Sequence, residues 1–154
     1  MRVLVATDGS RAGSAALRFA ASLVRGQGSG ELVVVTVCAR RSSATAGTGR
    51  NGAGPPPELA QARRVLADAS RVVHGRVASA RFELISSRST DEVPEAISRH
   101  ADRRKADLVV IGSEGRDSLT EWVVGGTALR LIYVARRPVT VVRAPRRRTR
   151  AVPM

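Results

Sequence analysis

The sequence predicts an α/β domain built on a mostly parallel sheet. Short aliphatic runs, among them VLVAT, LVVVTV and VTVV, alternate along the chain with segments of helical apolar period, the pattern of strand–crossover–strand folds. The longest of them, LVVVTV, has no polar alternation, which marks a strand covered on both faces. Aromatic residues make up only 3% of the chain, so its core must be built from Val, Ile, Leu and Ala.

The elements follow in order. Val3–Thr7 is a first strand, stopped by Asp8-Gly9-Ser10, a turn signal and a helix cap. The segment SAALRFAASLVRG places Ala16, Ala20, Leu23 and Val24 at helical spacing before glycines 26, 28 and 30. Leu32–Val37 is the second strand. From Arg40 to Pro57 the composition turns to Ser, Thr, Ala, Gly and Pro, an excursion from the domain. ELAQARRVLADASRVVH then carries one apolar stripe, Leu59, Ala62, Leu66, Ala69 and Val73, of a second helix. Val77–Ile85 reads as a strand. A helix opens around Pro94, with Asp91, Glu92 and Glu95 near its positive end. Leu108–Ile111 and Val139–Val142 are the last two strands, with a helix starting near Thr127 between them. That makes five strands and four helices. In such sheets ligands collect beyond the carboxyl ends of the strands, where the strand order reverses.

At 154 residues the chain forms one domain, expected over 1–144, followed by a basic tail at 145–154. No apolar run approaches the roughly 18 residues of a membrane span, and MRVLVATDG is too soon broken to be a secretory signal. Cys38 is alone, which excludes a disulfide framework and a cysteine metal cage and suits a cytoplasmic protein. The net charge is +13, and 25 of the 26 basic residues are arginine. The excess lies at the ends: residues 58–135 carry twelve bases and eleven acids, whereas 136–154 carry seven arginines and no acid. The tail RAPRRRTRAVPM has the charge to touch nucleic acid. Without an aromatic platform or reading motif, that contact stays a secondary expectation.

Several motifs carry no chemistry. Gly47, Gly49 and Gly52 spell G-x-G-x-x-G, but ten residues beyond a strand and running into Pro55-Pro56-Pro57, not between a strand and a helix. No Walker A sequence exists. His74 and His100 sit near helix C-termini and have no metal-ligand partner at a recognisable spacing, so they read as structural or surface residues. Ser10 and Ser113 follow strands without a neighbouring base or a G-x-S-x-G elbow. No catalytic residue is expected.

The informative stretch is IGSEGRDSLTEWVVGGTA, from Ile111 to Ala128. Gly112 ends a strand, Gly115 follows, and Gly125, Gly126 and Thr127 lead into a helix. Glycines let backbone N–H groups approach a ligand, and a helix N-terminus supplies further N–H groups and positive potential, a combination suited to phosphate. A tight strand-to-helix loop in which glycine only solves a packing problem fits the same spacing equally well.

With these pieces the sequence resembles the universal stress protein family. The family's late motif is Gly, two residues, Gly, nine residues, Gly, then Ser or Thr. Here it reads G112-SE-G115-RDSLTEWVV-G125-G126, with Gly126 at the hydroxyl position and Thr127 one place late. VLVATDGSRAGSAALRFA, ADLVVIGSEG and RRPVTVVR also resemble the family, so the likeness covers most of the chain apart from 40–57 and the tail. It implies a single-domain, Rossmann-like three-layer sandwich with strand order 3-2-1-4-5. It also implies an adenine-nucleotide-binding stress-response module taking ATP with Mg2+. Ala6, Thr7, Asp8 and Val37 would face adenosine, and Gly112, Ser113, Gly115, Gly125, Gly126 and Thr127 the phosphates, with Arg116 adding charge. Members commonly form homodimers through the last strand, here Val139–Val142. Family members that bind no nucleotide and act through dimerisation and protein contacts are the alternative, which the missing motif hydroxyl favours.

Overall fold

The computed structural model describes residues 1–40, 55–114 and 124–145. The tail beyond 145, most of the excursion, and Gly115 and Arg116 lie outside the described residues. Five parallel strands form one sheet: β1 (Arg2–Ala6), β2 (Glu31–Ala39), β3 (Ala80–Ser87), β4 (Leu108–Gly112) and β5 (Val139–Val142), in the order β3-β2-β1-β4-β5. Four helices cover it: α1 (Arg11–Gly26), α2 (Pro57–Val73), α3 (Val93–Arg103) and α4 (Gly126–Val134). The α/β class, the strand order and the element count are those expected.

Alternation along the strands builds two cores. Val3 and Val5 of β1, Leu32 and Val34 of β2 and Val110 of β4 face α1 and α2, meeting Ala16, Leu17, Ala20 and Val73. Leu4, Val33, Val35 and Val109 point the other way, onto Ile97 and Ala101 of α3 and Leu131 of α4. The three central strands are thus apolar on both faces, which is why they show no polar alternation in sequence. Each fully buried Val or Leu stabilises the fold by about 1.5–3 kcal/mol.

Two sequence readings shift. The third strand begins at Ala80, not Val77, and runs to Ser87, because its register is set by pairing with β2 from Leu32↔Ala80 onward. Val77 packs against the α1–α2 core before that pairing starts. In α2 the buried positions are Ala62, Val65, Ala69 and Val73, with Leu59 and Leu66 only half-buried. Apolar residues at both 65 and 66 leave the helix phase ambiguous by one position, and docking selects Val65.

Candidate functional site

β1 and β4 are parallel neighbours, Val3 pairing with Leu108, and the strand order reverses between them. The crevice beyond their carboxyl ends is a cavity of about 550 Å3. One wall is aliphatic: Ala6, Val37, Ala39 and Ile111 from strands, Val93 and Ile97 from α3. The other end is polar and glycine-rich, with Thr7, Asp8, Gly112, Ser113, Glu114, Gly125, Gly126 and Thr127. Every described residue that the sequence reading assigned to a site therefore lines this one cavity.

The loop after β1 is held by its own side chains. The Gly9 N–H donates to Thr7 Oγ1 (3.2 Å) and the Ser10 N–H to Asp8 Oδ1 (2.9 Å). Gly9 takes φ of 79°, which allows the turn. Ser10 caps α1, its Oγ accepting from the Gly13 N–H (3.0 Å) while donating to the Glu114 carbonyl (3.3 Å). One hydroxyl thus ties the loop after β1 to the loop after β4. Thr7 is fixed further by its N–H to Val35 O (3.0 Å) and by Thr36 Oγ1 donating to its carbonyl (3.0 Å).

The glycines divide into two kinds. A Cβ on Gly112 would stand 2.6 Å from the Ala12 carbonyl carbon and 2.7 Å from the Gly13 nitrogen, so this glycine lets α1 cross the end of β4. At this position the packing account of the motif holds. A Cβ on Gly126 meets nothing within 4 Å. Gly125 is the N-cap of α4, in extended backbone (φ −61°, ψ 153°) and with no side chain to cap the helix. Its own N–H is engaged by Ser113 O (2.6 Å), and Ser113 N–H by Val142 O (2.7 Å). The first-turn N–H groups of α4, at Gly126, Thr127 and Ala128, face the end of the helix without intrahelical acceptors, the arrangement that suits an anion.

Sequence reasoning missed Gly13, Ala39, Thr90, Val93, Ile97, Ile111, Glu114 and Ala128 as lining residues. Gly13 had a signal: a glycine inside an alanine-rich helix costs about 1 kcal/mol against alanine and needs a reason. The reason is space, since a Cβ there would lie 2.8 Å from Thr7 Oγ1 and 3.0 Å from Asp8 Oδ1. Val93 and Ile97 gave none beyond core periodicity.

His100 is 7% exposed, lies one turn beyond Ile97 on α3, and does not line the cavity. Its Nε2 meets the Glu83 carboxylate, which Arg104 also holds, and its Nδ1 accepts from Arg103 (2.9 Å). Burial works against the charged form of Glu83, but the hydrogen bonds from His100 and Arg104 outweigh it and keep this carboxyl below its ordinary range. Among the described residues no group of three or more His, Cys, Asp or Glu is placed to hold a metal, and no helix is long and apolar enough to cross a membrane.

A doubly wound parallel sheet with its crevice at the switch point defines a Rossmann-like protein. The universal stress protein family model matches residues 1–143, and the chain belongs to that family. Solved structures agree. A universal stress protein from Archaeoglobus fulgidus is 25% identical, covers 93% of this chain and 98% of its own, and superposes with a TM-score of 0.70. A family protein from Burkholderia pseudomallei is 28% identical over 93% of this chain and 96% of its own, with a TM-score of 0.67. The A. fulgidus protein in complex with dAMP is 26% identical over 93% and 98%, with a TM-score of 0.66. No functionally curated protein matches the sequence.

Proposed function

We propose that this chain is an adenine-nucleotide-binding regulatory module of the stress response, taking ATP with Mg2+ in the β1–β4 crevice. The observation that carries this reading is one cavity with an aliphatic wall at one end and the uncapped N-terminus of α4 at the other. An adenosine fits between Ala6 and Val37 on the strand side and Val93 and Ile97 on the helix side, with Asp8 accepting from a ribose hydroxyl. The phosphate end is formed by Gly112, Ser113, Gly125, Gly126 and Thr127, joined by Gly115 and Arg116 through the sequence motif. Asp8 and Glu114 supply the oxygen donors a hard divalent cation requires, and the cation would neutralise phosphate charge. The relative solved with dAMP supports an adenine nucleotide as the ligand class.

Calorimetric titration of ATP with Mg2+ into wild type and Gly125→Asp tests this. Aspartate is a preferred N-cap and position 125 already has N-cap backbone, so the variant folds. Its carboxylate occupies the anion's place, and binding is lost. Equal binding by both proteins counts against the phosphate assignment.

A homodimer through Val139–Val142 is part of the proposal. Among the described residues β5 pairs only with β4, on one of its edges, and the adjoining α4 exposes Leu129, Ile132 and Tyr133, the last at 81%. Sedimentation equilibrium is expected to give twice the chain mass; a monomer sinks this part of the reading.

A further inference from the structure

The two helical layers carry their charge differently. α3 and α4 hold Arg99, Arg103 and Arg130 against Glu95 and Asp102. Both carboxylates are bound, Glu95 by Arg130 (2.5 Å) and Asp102 by Arg137 (3.0 Å). α1 and α2 hold six arginines, all exposed, against Glu58 and Asp68, and α1 has no acid at all. Arg71 takes Asp68 (3.1 Å), whereas Arg18, Arg25, Arg63 and Arg64 meet no carboxylate among the described residues. The residues outside the described ones carry seven arginines against Asp117 and Glu121. Those two acids are too few to neutralise this layer.

The arginines are also aligned. Arg11, Arg18 and Arg25 recur every seven residues, two helical turns, and form one row of about 21 Å on the exposed side of α1. α2 lies beside α1 on the same face of the sheet, and Arg64 and Asp68 line the groove between them with Ser14 and Leu17. Arg64 and Arg71, again seven apart, make a second row on α2. Arg11 Nη2 donates to the Pro145 carbonyl (2.8 Å), so the chain enters its basic tail, RRRTR, at the head of the first row.

A straight row of guanidinium groups suits a partner whose negative charges also stand in line. A nucleic-acid duplex offers one charge per about 1.7 Å of axis, and guanidinium meets phosphate oxygens through paired N–H groups. Of the large apolar side chains on α1 and α2 only Phe19 is exposed, at 38%. One ring is too little for stacking the bases of a single strand or for sinking a helix face into lipid. We propose that the α1–α2 face docks double-stranded nucleic acid through its phosphates, without sequence selection, with Arg18, Arg25 and Arg64 as its principal contacts. This contact is separate from the crevice and does not rest on the nucleotide reading.

Fluorescence anisotropy of a short labelled DNA duplex of mixed sequence, titrated with the full chain at several salt concentrations, tests the proposal. Log affinity is expected to fall against log salt with a slope of about −3 to −4.5, the value for three to five phosphate contacts. Arg18→Gln with Arg64→Gln keeps good helix formers in place. It reduces the slope by about 2 and weakens binding at least about tenfold. Arg88→Gln with Arg99→Gln removes the same charge from the α3 side and changes affinity by less than about twofold. No duplex binding at low salt overturns the proposal. Equal losses in the two variants reduce the contact to net charge and overturn the docking face. So does a loss confined to replacement of the tail arginines 146–148 and 150 by Gln. Tighter binding to phosphatidylserine vesicles than to the duplex makes the face a membrane contact and overturns the nucleic-acid assignment.

Discussion

The two ends of the sheet are built from different chemistry. At the amino ends of the strands, charge fastens the elements together. Arg2 reaches Glu31 (2.5 Å) and the Arg104 carbonyl (2.5 Å), and its N–H donates to Asp107 (2.7 Å). Arg81 meets the same Glu31 (2.5 Å), and Arg137 meets Asp102 (3.0 Å). Further along β3, Glu83 takes His100 and Arg104. Hydrogen bonds from Arg2 and then Arg81 hold the Glu31 carboxyl below its ordinary range. At the carboxyl ends the crevice is lined by aliphatic side chains on one side and by glycine, small hydroxyl residues and two carboxylates on the other. The Glu95–Arg130 pair that links α3 to α4 stays outside this lining. Arginine thus serves to staple one end, while among the described residues lining the crevice at the other there is no Arg, Lys or His. Stability and ligand access are separated along the strand axis.

The largest expected effect breaks the boundary between them. Gly112→Val drives a side chain into the Ala12 and Gly13 backbone, costing about 3 kcal/mol by overpacking and abolishing binding as well. Chemical denaturation reads the loss; a variant as stable as wild type would mean that α1 does not cross β4 this closely. Next is the stapled end. Glu83→Gln removes charge from the His100–Arg104 cluster, a loss of about 1–2 kcal/mol after allowing for the part-exposed Arg104. The Glu83 pKa is depressed in the folded state, so its contribution is complete above the ordinary carboxyl value of 4.5. It is lost as pH falls through the lower folded value. Denaturation across that range is therefore less steeply acid-sensitive in the variant, with nucleotide affinity unmoved; an unchanged slope would remove Glu83 from the account. The smallest change in stability belongs to Gly126→Ser, within about 0.5 kcal/mol, because position 126 opens onto space. It restores the family hydroxyl and raises nucleotide affinity roughly tenfold. Calorimetry showing no gain would mean that the hydroxyl is already replaced, with Thr127 as the candidate.

What was legible in the sequence follows the same division. The central strands announced themselves because burial on both faces leaves only Val, Leu, Ile and Ala. β3, at the sheet edge with Phe82 and Leu84 part-exposed, had no such constraint, and its ends were misplaced. Gly112, Gly125 and Gly126 drew notice by their spacing, yet spacing does not distinguish a glycine required by packing from one beside open space. The staple of Arg2, Glu31 and Arg81 was invisible, since only the pairing Arg2↔Glu31 and the approach of β3 bring those charges together. Val93 and Ile97 reach the cavity from α3, whose apolar spacing reads as ordinary core, and Thr90 from the short 3-10 turn just before it.

The Ser10–Glu114 hydrogen bond spans 104 residues of sequence, and the β1–β4 pairing beneath it is as distant. Such contacts form late, because loop closure over that length must precede any reward. A chain emerging during synthesis therefore has its first loop and first helix long before it has a crevice. The pocket appears only when the fourth strand docks, and ligand occupancy registers the completed domain, not any fragment of it. Any nucleotide that binds there also shifts the folding equilibrium of the whole chain by mass action.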